Sequence, residues 1–145
     1  MSAFSIISPC PSCGTKNRVA AEHLSDTGRC GACKAELPPV HQPLDVDEAA
    51  FDEILRTAKV PVLTDFWAEW CGPCRMAAPE VKKLAEQMAG RALVLKVDTE
   101  SHPGIAARYR VQGIPNFIVF RQGKSVMQQA GVASAAQMRQ WLESS

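Results

Sequence analysis

Six cysteines are the residues of this 145-residue chain best suited to chemistry, and they form three C-x-x-C pairs: Cys10/Cys13, Cys30/Cys33 and Cys71/Cys74. A gap of two lets one tight turn aim two sulfurs at a single point. That serves either metal ligation or reversible disulfide chemistry. Sixteen residues separate the first two pairs, within the spacing of a four-thiolate zinc site. One zinc on Cys10, Cys13, Cys30 and Cys33 is therefore expected, with a pair of disulfides as the alternative. Gly14 and Gly28 can relax the backbone beside the turns. His23 and His41 are not needed, because four thiolates close a tetrahedron. Closed sites are usually structural, but clustered thiolates can also be oxidised with loss of metal, so a redox switch stays open.

The third pair has no partner pair nearby and ends the stretch "VPVLTDFWAEWCGPC" (Val60 to Cys74), where an apolar strand pattern gives way to a helical one. Cys71 then falls at a helix N-terminus, where free N–H groups and the helix dipole favour a thiolate. It is the expected nucleophile. Cys74, one turn further on and facing inward, is placed to resolve a mixed disulfide. Asp65 interrupts a run otherwise suited to burial, although an unpaired polar group in an apolar interior costs about 1–3 kcal/mol. Strand alternation puts it on the face of Leu63 and Trp67, beneath the helix that carries Cys74, where it could take the Cys74 proton. A purely structural ion pair is the alternative.

The elements that must position these groups divide the chain. Residues 1–37 are rich in Cys, Gly, Ser and Pro and too poor in large apolar side chains to fold without a staple. A proline-rich linker, residues 38–44, reads as a semi-rigid spacer. Residues 45–145 carry alternating strand and helix signals. The order is an edge strand near Leu44, a helix capped by Asp47, the strand Val60–Trp67, a helix from the third pair to Gly90 bent at Pro79, and the strand Ala92–Asp98. A short helix at "HPGIAARYR", a hairpin turning at Gln122–Gly123 and a final helix capped by Ser134 complete it. The expectation is α/β, a mixed sheet covered by helices on both faces and preceded by a small zinc-ribbon-like head.

"FWAEWCGPCRMAAP", "GIPNF", "FRQGK" and the later Gly131 together resemble the thioredoxin family over residues 45–145. With the four-cysteine head, the whole chain is similar to the zinc-binding bacterial thioredoxin 2 branch. The resemblance implies the thioredoxin fold, a cis Pro115, and a groove around Cys71 formed by Trp70, Gly72, Pro73, Gly113, Ile114, Pro115, Gly131 and Val132. The backbone of Ile114 would pair with an extended substrate, and Lys96 resembles the family's buried lysine partner of Asp65. Asn116 departs from the Thr common after the cis proline. Phe66, Trp67 and Met76 read as packing, and Tyr109 and His102 receive no role.

The resemblance further implies a protein-disulfide reductase acting on disulfide-containing proteins and regenerated by thioredoxin reductase with NADPH. It implies no bound organic cofactor. A net charge of +1 gives no electrostatic case for nucleic acid or an anionic membrane. The N-terminus lacks the pattern of a secretory signal, so a cytoplasmic monomer is expected. Two readings from other classes remain: a redox-regulated zinc sensor or holdase, and an adaptor whose head delivers the second domain to a partner.

Overall fold

The computed structural model describes residues 4–144. The head consists of two antiparallel ribbons. Strands β1 (Ser5–Pro9) and β2 (Lys16–Ala20) form the first, and β3 (Gly28–Arg29) and β4 (Glu36–Leu37) the second, with a 3-10 turn at Ala21–His23 between them. Each ribbon is closed by one cysteine pair.

The remainder follows the alternation read from the sequence: β5 (Leu44–Asp45), α1 (Glu48–Thr57), β6 (Val62–Trp67), α2 (Gly72–Gln87), β7 (Leu93–Asp98), α3 (Pro103–Arg108), β8 (Asn116–Arg121), β9 (Lys124–Ala130) and α4 (Ala135–Ser144). The sheet order is β5-β7-β6-β8-β9; β5, β7 and β6 run parallel, β8 is antiparallel to β6, and β9 is antiparallel to β8. This is a mixed sheet.

Local chemistry sets the boundaries. Asp47 caps α1 by accepting the Ala50 N–H at 2.8 Å, and Ser134 Oγ accepts the Gln137 N–H at 3.1 Å at the start of α4. The hairpin turns at Gln122 and Gly123, whose φ values of 53° and 79° give the mirror-image turn that matches strand twist. Helix α2 ends at Gln87, slightly before the expected Gly90, which follows in the left-handed region at φ 81°. Pro79 lies inside α2 and supplies no N–H to the carbonyl one turn back.

Strand parity sorts the core into two layers. Val62, Phe66, Leu95, Val97, Ile118 and Phe120 pack with Phe51 and Ile54 of α1 and Ile105 of α3. On the opposite face, Leu63, Val94, Phe117 and Val119 pack with Ala77, Val81 and Leu84 of α2 and Met138 and Leu142 of α4. Strand β6 is covered on both sides, so an apolar run there is required rather than an alternating one.

The head joins this core. Ala21 and Leu24 belong to the same apolar cluster as Phe51 and Ile54, and Phe4, Ile6, Val19 and Val40 pack against it. The Phe4 N–H donates to Glu53 Oε2 at 2.9 Å, and Lys59 Nζ lies 2.7 Å from Asp26 Oδ2. The proline-rich segment runs along the head instead of standing free: the Val40 N–H donates to the Leu24 carbonyl at 2.9 Å. Burial of Leu24 and Val40 against α1 accounts for this, since an extended spacer would leave both in water.

Shared burial couples the two parts. All three tryptophans, at 67, 70 and 141, lie outside the head, so their fluorescence reports the sheet domain alone. Leu24 is 1% exposed. Leu24→Ala is expected to cost about 2–4 kcal/mol and to move the tryptophan-detected urea transition to lower urea as one step. An unmoved transition would mean the head contributes nothing to the sheet domain's stability.

Candidate redox site and metal centre

Cys71 is the N-cap of α2, at the point where β6 leaves the sheet. Its Sγ accepts the Cys74 N–H at 3.2 Å. Cys71 and Cys74 are joined as a disulfide, with Cα atoms 5.2 Å apart. Their side chains are 3% and 4% exposed, so only a narrow face meets solvent.

The neighbours of this disulfide come from three segments. Ala68, Trp67 and Ile114 pack against the two cysteines. The Ile114 carbonyl oxygen lies 3.7 Å from Cys71 Sγ, and the Ile114–Pro115 bond is cis. The Pro115 carbonyl accepts the Gly131 N–H at 2.8 Å, which draws the β9–α4 turn to the same end. Trp70 is 67% exposed, Val132 47% and Met76 70%, while Gly72, Pro73 and Gly113 are also exposed. Exposed apolar side chains beside a buried disulfide make a surface suited to an extended apolar segment. Met76 was expected to be packing and is instead open to water. Its place one helical turn after Gly72 puts it on the outer face of α2. Trp67 is packing as expected, against the cluster of Ala68 and the two cysteines.

Asn116 is 5% exposed, and its Oδ1 accepts from Gln128 Nε2 at 3.1 Å. The same nitrogen donates to the Tyr109 carbonyl at 3.2 Å. Gln128 on β9 thus joins the side chain of Asn116 on β8 to the segment after α3 that leads to Ile114.

Asp65 is 1% exposed, and its Oδ1 has no hydrogen-bond partner among the described residues. It lies opposite Lys96 on β7 and Phe117 on β8, with Leu63 on the α2 face. The expected contact with Lys96 is not formed: among the described residues no carboxylate lies within 4.0 Å of the ammonium, which stands 4.5 Å over the Trp67 ring. Burial pushes the Asp65 carboxyl up to about 7; the Lys96 charge pulls it down in part, and Asp45 pushes it up.

The four head cysteines are free thiols, and their Sγ atoms lie within 4.8 Å of one another. The cross-ribbon distances are 3.6 Å for Cys10–Cys33 and 3.7 Å for Cys13–Cys30. A tetrahedral zinc with bonds of about 2.3 Å places its sulfurs about 3.8 Å apart, so the cluster fits that ion. Backbone N–H groups converge on the sulfurs: Ser12 on Cys10 at 3.3 Å and Ala32 on Cys30 at 3.4 Å. The N–H groups of Cys33 and Ala32 hold the Cys30 thiol down to about 6.

The two knuckles share one backbone plan. The Gly14 N–H returns to the Cys10 carbonyl at 2.9 Å, and the Lys34 N–H to the Cys30 carbonyl at 3.0 Å. Gly14 has φ 77°, a conformation glycine adopts freely. Its counterpart is Lys34 at φ 66°, while Gly28 lies in β3 without a positive φ.

The thioredoxin family profile matches residues 42–144. The chain belongs to the thioredoxin family. A second profile, described as thioredoxin 2, N-terminal, matches residues 9–35, which hold all four head cysteines. Thioredoxin C-3 of Corynebacterium nephridii is 37% identical over 134 residues, covering 92% of this chain and 91% of that protein. Thioredoxin 1 of Chlorobaculum tepidum is 48% identical over 89 residues, 61% of this chain and 88% of its own length. Among solved structures, a mutant thioredoxin of Halobacterium salinarum superposes with a TM-score of 0.67 at 34% identity, covering 72% of this chain and 90% of that one. Thioredoxins are thiol–disulfide oxidoreductases, and the Cys71–Cys74 pair gives this chain the same chemistry. No helix among the described residues is long and apolar enough to cross a membrane.

The buried acid of this thioredoxin has a measurable signature. Folded Asp65 keeps its proton up to about 7, whereas in the unfolded chain it releases it near the ordinary 3.8. Between those values the folded state binds more protons, so stability falls as pH rises through that window. Asp65→Asn is expected to remove this slope and to raise the stability of the oxidised protein at pH 8 by roughly 2–4 kcal/mol. Urea titrations from pH 4 to 8 would show it. A variant less stable than wild type at pH 8 would make Asp65 a structural partner instead.

Proposed function

We propose that this thioredoxin is a cytoplasmic protein-disulfide reductase whose Cys71 attacks substrate and whose Cys74 resolves the intermediate. The observation that carries the reading is a disulfide at the start of a helix, with the Ile114 carbonyl 3.7 Å from Cys71 Sγ and exposed Trp70 beside it. An extended substrate strand can pair with the Ile114 backbone and bring its own disulfide in line with Cys71. Gly113, Pro115, Gly131 and Val132 complete the groove.

The Cys71 thiolate attacks one sulfur of the substrate disulfide. That S–S bond breaks, a Cys71–substrate disulfide forms, and the departing sulfur takes a proton from water. Asp65 then removes the Cys74 proton, directly or through a water. The Cys74 thiolate attacks Cys71 Sγ, releases the second substrate sulfur and closes Cys71–Cys74. Two electrons pass from protein to substrate. A carboxyl held up to about 7 is half ionised at neutral pH, which suits a base for a thiol. The family resemblance supports regeneration by thioredoxin reductase at the expense of NADPH, and no bound organic cofactor is part of this reading.

Zinc in the head would be held by Cys10, Cys13, Cys30 and Cys33 and would supply folding energy that two short ribbons lack. It takes no part in the exchange.

With an oxidised protein substrate, Cys74→Ser is expected to accumulate a mixed disulfide on Cys71, and Cys71→Ser to form none; peptide mapping by mass spectrometry reads the site. An adduct on position 74 would reverse the two roles. Asp65→Asn should slow resolution by about tenfold or more at pH 7.

Elemental analysis of the freshly purified protein is expected to give about one zinc per chain, falling to none when Cys30 and Cys33 are both changed to Ser. Zinc retained by that double variant would place the metal elsewhere.

A further inference from the structure

Asp45, Lys96 and Asp65 occupy one row across three parallel strands: Asp45 is the register partner of Lys96 between β5 and β7, and Lys96 that of Asp65 between β7 and β6. Adjacent strands lie about 4.8 Å apart, so the lysine sits midway between two acids roughly 10 Å apart. Lys96 shares the parity of Val94, and Asp65 that of Leu63, which puts both on the α2 face. Burial is graded along the row. Asp65 is buried, Lys96 half-buried and Asp45 exposed at the sheet edge.

A cavity of about 160 Å³ opens at the outer half of the row, lined by Asp45, Asp47, Lys96, Asp98 and His102. Two of its acids are already committed. Asp47 Oδ1 caps α1, and Asp98 Oδ1 accepts the N–H groups of Glu100 and Ser101 at 2.9 and 3.3 Å. Asp45 makes no side-chain hydrogen bond or ion pair among the described residues, so its carboxylate is free to act on the lysine. The Lys96 ammonium rests over Trp67, in contact with neither the inner nor the outer acid. From the helices covering this face, α2 buries Ala77, Val81, Leu84, Ala85 and Cys74, whose sulfur is held in the disulfide and does not titrate, and α4 buries Ala135, Met138 and Leu142. From β8, Asp65 faces Phe117.

We propose that Asp45 is a positioning residue for the disulfide exchange: its carboxylate pulls on the Lys96 ammonium from the open side of the row and, together with the Trp67 ring over which the ammonium rests, keeps it from closing a contact ion pair with Asp65. A flexible four-carbon stem with room in the cavity can satisfy either acid, and two opposed attractions leave it between them. The consequence is a base that stays protonatable at neutral pH despite a lysine in the next strand. The direction of the Asp45 effect on Asp65 agrees, since its negative charge opposes that of Lys96. The kinetic part of the proposal rests on Asp65 being the base for Cys74.

The test is the titration of the Asp65 carboxyl, followed by carbon-detected NMR on the full-length oxidised protein. Four forms are compared: wild type, Asp45→Asn, Lys96→Met and the variant carrying both. Asp45→Asn is expected to lower the Asp65 midpoint by about 0.5–1 pH unit as the lysine turns inward. In the Lys96→Met background the same change should have less than half that effect, because no ammonium is left to release. Asp45→Glu should restore the wild-type midpoint. An unmoved midpoint in Asp45→Asn overturns the proposal, and so do equal shifts in both backgrounds, which would mean a direct field from Asp45 alone. The pH profile of mixed-disulfide resolution should shift with the midpoint. If Asp65→Asn leaves resolution unchanged while Asp45→Asn still moves the Asp65 midpoint, the base assignment fails and the charge row stands.

Discussion

A carboxyl group held in a strand that is covered on both faces is the constraint around which the redox end of this thioredoxin is arranged. Asp65 costs free energy wherever an apolar side chain would have served. Its position follows from β6 lying between β7 and β8 with α1 and α2 packed on opposite faces. Placed on an edge strand, the same acid would be solvated and ordinary. In the centre it is forced toward the neutral form, and that gives it proton affinity near neutrality. Stability is given up at the residue proposed as the base for Cys74.

The same strand delivers the cysteines. β6 ends at Trp67, the chain turns, and α2 begins at Gly72 with Cys71 as its cap. A sulfur in the capping position meets N–H groups that no other backbone atom satisfies, which is a property of helix starts rather than of cysteine. Ile114 reaches this point from a distant segment because the loop after α3 is tied at both sides, by Gln128 to Tyr109 and Asn116 and by Gly131 to Pro115. The disulfide, the Ile114 backbone and the exposed apolar surface therefore come from three parts of the chain held to one sheet.

The head is attached to this machinery through the opposite face. Leu24 and Ala21 enter the α1–α3 layer, whereas the redox pair starts the helix that covers the other side. Ile114 packs both on the cluster that Leu24 and Ala21 join and on the redox pair, so it is one side chain through which the head and the disulfide are linked by packing.

Much of this is written in the residues themselves. Three C-x-x-C pairs, the strand-to-helix change before Cys71, the caps Asp47 and Ser134, and the Gln122–Gly123 turn are local signals, and each depends on groups a few residues apart. The placing of Asp65 on the α2 face followed from alternation alone. Tertiary structure decided what local patterns cannot encode. Met76 is exposed because its outward helical face has no layer above it, and Trp67 meets the cysteines because α2 folds back over β6. Lys34, not Gly28, takes the left-handed position, since the second knuckle repeats the first in backbone rather than in sequence. Asp45 joins the charge row only through the pairing of β5 with β7. Register between strands distant in sequence is set by the burial of whole faces, and no short stretch of chain carries that information.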